Sequence, residues 1–170
     1  MARQDWLRKW GAYALALLPV WLLDAYVLSR WTFFGVSAVL LPVAVVALST
    51  LEGISGGMGF GLAVGLLWAT AYPGAHGHRV LLLTLAGLGA GALAQYVLSQ
   101  NFPGCLVASA AVLTLLEGGH AFAVSVSTGA PAFALLRAAG LQLVWSLCWT
   151  PLVYALFRRV FLRVGGDRLT

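Results

Sequence analysis

Charged residues are scarce in this sequence. Only 9% of its 170 residues are Asp, Glu, Lys or Arg, and only five of them are acidic. An average soluble domain carries roughly 25% charged residues. Hydrophobic residues make up 61% of the chain, so a water-soluble fold would have to expose apolar side chains over most of its surface. The composition excludes an ordinary soluble domain and predicts a protein whose surface faces lipid.

Cysteines and catalytic motifs are also lacking. The two cysteines, Cys105 and Cys148, both lie in apolar runs, where they predict neither a disulfide framework nor a zinc site. His76 and His78 share one short loop without further ligands nearby. The chain contains no G-x-S-x-G, no H-E-x-x-H, no phosphate-binding loop and no cluster of carboxylates for Mg²⁺. We therefore expect no enzyme, no metal and no cofactor.

Long apolar runs fill the sequence instead. A helix crosses the roughly 30 Å hydrocarbon core with about 20 apolar residues. Breaks at Glu52-Gly53 and Pro73-Gly74 help to separate the runs. The predicted helices cover residues 10–28, 33–51, 54–72, 80–98, 105–126 and 132–157. The prediction is an all-α polytopic membrane bundle of six transmembrane helices, forming a single integral membrane domain over residues 1–170. Pro19, Pro42 and Pro151 are expected to kink helices from inside.

Basic residues predict the orientation. The net charge is +5, and seven of the ten basic residues lie near the two ends of the chain: Arg3, Arg8, Lys9, Arg158, Arg159, Arg163 and Arg168. Lys and Arg are retained preferentially on the cytoplasmic side of a membrane. With six spans both termini share one side, so both are expected to be cytoplasmic. The charge is interpreted as an anchor at anionic lipid and not as a nucleic-acid site.

Glycines recur at every fourth position in two neighbouring helices. Gly57, Gly61 and Gly65 share one face of the third predicted helix, and Gly87 and Gly91 share one face of the fourth. Faces of small residues let helix backbones approach closely in lipid. We expect these helices to form a tight hairpin. The same face could instead receive a helix of another protein, and a homodimer stays open.

Four ionisable residues are predicted to form a polar cluster within the membrane: Asp24, Glu117, His120 and Arg137. Charges inside a bilayer are costly and commonly paired. One hypothesis is that Arg137 reaches Glu117, or His120, across the hairpin of the fifth and sixth predicted helices. The functional alternative makes Glu117 and His120 a proton relay or a ligand contact.

A proline followed by an aliphatic stretch occurs at Pro42 and the residues after it, within 41–48. Gly61, Gly65 and Leu66 form a glycine-rich segment, Gly77 follows later, and residues 80–93 with Gly87 form the next apolar run. In these features the second to fourth predicted helices resemble the MreD family of rod shape-determining membrane proteins, in which a proline-aliphatic run, a glycine-rich segment, a later glycine and a further helix occur in this order. Ala69 departs from the pattern, because many members carry Asp there, so no role of that carboxylate can be transferred.

The resemblance implies a non-catalytic scaffold in the bacterial cell membrane. MreD pairs with MreC, a single-span protein with a periplasmic domain. Through that pair it belongs to the elongation machinery of MreB, RodA and a penicillin-binding transpeptidase, which supports peptidoglycan synthesis and cell shape. These partners are expectations that follow from the resemblance.

A six-helix chain of this size is also similar to the substrate-binding membrane subunit of energy-coupling-factor vitamin transporters. In that alternative, the predicted polar cluster would line a pocket near the outer surface. The two possibilities differ in one geometric feature, because a transporter subunit needs a pocket of a few hundred Å³ with convergent polar groups. A scaffold needs only a filled interior and an exposed apolar groove.

Overall fold

A computed structural model describes residues 3–32, 35–71, 78–97, 101–129 and 131–165. The fold is all-helical, as the sequence predicts. Helix α1 covers Arg3–Leu22 and continues into a π-helical turn at Leu23–Leu28; the others are α2 (Leu41–Ala71), α3 (His78–Tyr96), α4 (Phe102–Thr128) and α5 (Ala132–Gly165). These five helices are long and apolar enough to cross a membrane. The structure thus has the long apolar helices of a membrane protein, as the composition predicts.

Helix α2 reverses its direction at Gly53. This residue has φ 79° and ψ −164°, a backbone conformation that is essentially restricted to glycine. Pro42 and Trp68 line the same cavity, although 26 residues of straight helix would separate them by about 39 Å. The helix therefore consists of two arms, 41–52 and 54–71, that lie side by side. The predicted break at Glu52-Gly53 occurs at the reversal.

The first arm begins later than the sequence suggests. The second predicted helix starts at residue 33, whereas the structure starts it at Leu41, after a non-helical segment over 37–40. Pro42 consequently lies in the first turn, where its missing N–H removes no hydrogen bond. The prediction that Pro42 kinks a helix from inside is therefore wrong, whereas Pro19 and Pro151 do lie within α1 and α5.

The first arm is the centre of the molecule. Every residue from 41 to 50 is buried, because α3, α4 and α5 and the second arm surround this helix. Beside it, Phe157 packs between Tyr13 and Phe60, with ring centroids 6.4 Å and 5.7 Å apart. Apolar side chains point outward as well as inward, as expected of a bundle that is surrounded by hydrocarbon. Examples are Leu115 and Phe133, which are 76% and 81% exposed.

Candidate functional site: a polar cavity in the bundle

The predicted glycine face lies between the second arm of α2 and α3. A Cβ added to Gly57 would lie 2.5 Å from the carbonyl oxygen of Gly87, and one added to Gly65 would lie 2.9 Å from the Cα of Val80. A Cβ on Gly61 would meet the carbonyl oxygen of Leu83. The backbones of the second arm and of α3 are in contact along this face, so these glycines take part in packing within the chain.

The opposite end of α3 shows the same close packing. A Cβ on Gly91 would lie 2.8 Å from the Cα of Ile54, next to the reversal. The side-chain amide of Gln95 lies beside Gly53, with its Nε2 3.5 Å from the ideal Cβ position. Gly91 and Gln95 thus fit α3 against the bend of α2.

A polar contact joins α1 to the end of the first arm. The Lys9 ammonium forms an ion pair with Glu52, and the Tyr13 hydroxyl donates a hydrogen bond to the same carboxylate. Because Glu52 immediately precedes Gly53, this contact fixes the reversal against the N-terminal helix. The sequence marked a break at Glu52-Gly53 but gave no sign of the two partners of Glu52.

Asp24 has a structural role at the other end of the first arm. Its Oδ1 accepts a hydrogen bond of 2.8 Å from the backbone N–H of Leu40, and the Ser146 hydroxyl accepts one of 3.0 Å from the N–H of Val39. Non-helical backbone inside a membrane persists only where its polar groups are satisfied. These two side chains, from α1 and α5, therefore allow the first arm to begin within the bundle.

A cavity of about 470 Å³ lies beside the start of that arm. Its polar wall consists of Trp68, Arg79, Glu117, His120 and Gln142. The remaining lining is apolar or small: Val39, Pro42, Leu82, Leu83, Leu115, Leu116, Gly119 and Ala123. Both arms of α2 and helices α3, α4 and α5 contribute to it. The volume lies within the range of about 300–1,000 Å³ that is usual for ligand pockets.

The charges of the cavity are separate from one another. The Arg79 guanidinium lies over the Trp68 ring, 5.5 Å from its centroid, which is within cation–π distance. Within the part of the chain that the structure describes, the one ion pair closer than 4.0 Å is that of Lys9 with Glu52. Arg79 and Glu117 therefore face the cavity without direct contact.

The predicted polar cluster is divided in the structure. Glu117 and His120, one turn apart on α4, both line the cavity. Asp24 binds the Leu40 N–H instead. Arg137 is exposed on α5 and does not line the cavity. Its hypothesised contact with Glu117 or His120 is not found among the described residues, because this side chain faces out of the bundle.

Arg79 is the charged cavity residue that the sequence analysis did not identify; Trp68 and Gln142 were not identified either. The predicted helix starts one residue after Arg79, whereas the structure places Arg79 in the first turn of α3. The signal in the sequence was the apolar run that starts directly after it, at Val80. Around Glu117 and His120, the described residues contain no group of three metal-ligating side chains. Gly77, His76 and the side chain of His78 lie outside the described residues.

No family model, no curated protein and no solved structure matches this chain. What the protein does must therefore be inferred from its own residues and geometry.

Proposed function

We propose that this chain is a multi-pass protein of the bacterial cell membrane and a non-catalytic scaffold of the elongation complex, in the manner of the MreD family. Its direct partner would be an MreC-like single-span protein. Through that partner it would act with MreB, RodA and a penicillin-binding transpeptidase in peptidoglycan synthesis and cell shape.

The observation that carries the proposal is where the resembling residues lie. The stretch 41–48, which matches the proline and aliphatic run of the family, lies in the fully buried part of the first arm. Gly61, Gly65 and Gly87 form the contact between the second arm and α3. The resemblance therefore covers residues that specify the architecture of the bundle and not scattered surface positions.

The proposal includes six passes through the membrane with both termini cytoplasmic. With the reversal at Gly53, the five helices would supply six segments for these passes. The first arm alone is about 18 Å long, shorter than the hydrocarbon core. The segment from 35 to 40 adds the missing length. The side chains of Asp24 and Ser146 accept hydrogen bonds from its backbone, which allows this non-helical segment to lie within the membrane. Lys9 at one end and Arg158 and Arg163 at the other then share the cytoplasmic side.

Co-expression tests the proposed partnership. The tagged chain is produced with the single-span candidate partner from the same genome and purified in mild detergent. The matched control replaces only the transmembrane helix of the partner by an unrelated apolar helix of equal length. We expect a stoichiometric complex with the native helix and a loss of the partner with the replaced one. Equal recovery of both, or of neither, would refute the partnership.

The cavity favours a second candidate, the substrate-binding membrane subunit of an energy-coupling-factor vitamin transporter. Such a subunit needs a pocket of a few hundred Å³ with convergent polar groups, and Arg79, Glu117 and His120 line a cavity of about 470 Å³. Co-purification of a transmembrane coupling subunit with its ATPases would favour this candidate over the scaffold. The MreD-like proposal ranks first because it also accounts for the sequence of the first arm.

A further inference from the structure

Two leucines of the cavity lining are also exposed on the outside of the bundle. Leu82 on α3 and Leu115 on α4 both line the cavity and are 43% and 76% exposed. In a membrane those exposed surfaces contact lipid chains. An apolar group that leaves the cavity past these two leucines would therefore enter hydrocarbon and not water.

The polar wall of the cavity carries both signs of charge. The Arg79 guanidinium lies over the Trp68 ring, 5.5 Å from its centroid, and His120, an exposed residue of α4, adds an imidazole. Glu117 provides a carboxyl on the same wall, without a hydrogen bond or ion pair to Arg79. A purely anionic group bound at Arg79 would be repelled by Glu117, and a purely cationic group would be repelled by Arg79. A group that carries both charges satisfies both residues.

We propose that this cavity binds a zwitterionic phospholipid of the surrounding bilayer, of the phosphoethanolamine type. Its phosphate contacts Arg79 and His120, its ammonium group contacts Glu117, and its hydrocarbon leaves between Leu82 and Leu115. Arginine suits the phosphate because its planar donors match phosphate oxygens. The ammonium group donates hydrogen bonds to the carboxylate. The site goes beyond the scaffold function and does not depend on it.

Native mass spectrometry of the purified full chain tests the site. The chain is exchanged into detergent with equal amounts of phosphatidylethanolamine, phosphatidylcholine and phosphatidylglycerol of matched chain length. We expect preferential retention of phosphatidylethanolamine, because phosphatidylcholine has no ammonium N–H and phosphatidylglycerol has no cation. These comparisons use the unmodified protein, so they do not depend on the folding of any variant.

Two variants and one matched control locate the binding. Arg79→Gln and Glu117→Gln are each expected to weaken retention of phosphatidylethanolamine about tenfold, which is the usual effect of losing one charge-assisted hydrogen bond. Arg137→Gln removes an exposed arginine that does not line the cavity, and it is expected to bind like the unmodified chain. Elution volume in size-exclusion chromatography identifies any variant that has unfolded.

Several results would overturn the proposal. One is equal retention of all three lipids by the unmodified chain. Another is an unchanged affinity in both folded cavity variants, or an equal loss in Arg137→Gln. Glycerophosphoethanolamine, which has the headgroup but no chains, serves as a soluble competitor. If it binds as tightly as the lipid, the site takes a free solute and the lipid assignment is wrong.

Discussion

Single glycines decide how closely the second arm of α2 approaches α3. Gly87 and Gly89 are two residues apart on α3 and have opposite surroundings. A Cβ on Gly87 would meet the backbone of Gly57 and lie 3.1 Å from a methyl group of Val45, whereas a Cβ on Gly89 has nothing within 4 Å. The pair therefore separates the effect of packing from the effect of helix propensity.

Gly87→Ala is expected to destabilise the bundle, and Gly89→Ala is not. The added methyl at 87 forces two backbones apart, at a cost of about 1–3 kcal/mol. At position 89 the same change only lowers the conformational entropy of the unfolded chain, which stabilises the folded protein by up to about 1 kcal/mol. Unfolding in a series of SDS to mild-detergent ratios measures both. Equal stability of the two variants would contradict the packing that the structure shows.

Asp24 gives a second contrast at the residue scale. Asp24→Leu removes the acceptor of the Leu40 N–H and should destabilise the chain by about 1–3 kcal/mol, the cost of an unsatisfied buried donor. Asp24→Asn keeps a side-chain oxygen in the same place, so we expect it to retain most of the stability. Thermal denaturation in detergent checks the order. If Asn and Leu are equally harmful, the negative charge matters and the hydrogen bond alone does not explain the role of Asp24.

Some of the important residues could be identified from the sequence and others could not. The glycine spacing on α2 and α3 was visible because a four-residue period places small residues on one helix face. Glu117 and His120 were visible as rare ionisable groups in an apolar helix. Arg79 was not, because it lies at a helix boundary where sequence patterns are least specific. The predicted role of Arg137 failed because the sequence does not show which face of α5 turns outward.

At the scale of elements, the reversal within α2 is the central feature. The sequence marked the break at Glu52-Gly53, and the six apolar segments correspond to α1, the two arms, α3, α4 and α5. It did not predict that the first arm starts only at Leu41. That start depends on hydrogen bonds from Asp24 and Ser146, which come from distant parts of the chain and have no local signal.

Gly53→Ala tests the reversal. The φ of 79° at this position is strained for any residue with a Cβ, and the expected cost is about 1–3 kcal/mol. Space is not the obstacle, because the nearest atom to the added methyl would be Nε2 of Gln95 at 3.5 Å. Gly11→Ala in α1 is the control, with open space and no positive φ. Detergent unfolding should show a loss for the first variant only. An unchanged stability of Gly53→Ala would mean that the two arms do not turn at this residue.

At the scale of the whole molecule, the bundle combines close packing with one polar cavity. The glycine contact between α2 and α3, the aromatic cluster around Phe157 and the ion pair of Lys9 with Glu52 are the closely packed features. The cavity with Arg79, Glu117 and His120 lies where both arms of α2 meet α3, α4 and α5. The close packing suits the proposed scaffold, and the cavity suits the proposed lipid.

Composition and hydrophobic segmentation were sufficient for the all-helical membrane architecture, because few charges and long apolar runs leave no soluble alternative. The cavity could not be predicted from the sequence, because its residues come from both arms of α2 and three further helices. Its volume depends on how those elements are spaced, which no local pattern specifies.

The most direct test of the scaffold is to isolate the chain from its native membrane in mild detergent and identify every copurifying protein and small molecule by mass spectrometry. The account predicts a stoichiometric single-span protein with a periplasmic domain and no water-soluble metabolite. Recovery of a coupling subunit with ATPases, or of a stoichiometric vitamin-like compound, would contradict it and make Arg79, Glu117 and His120 the residues of a transport site.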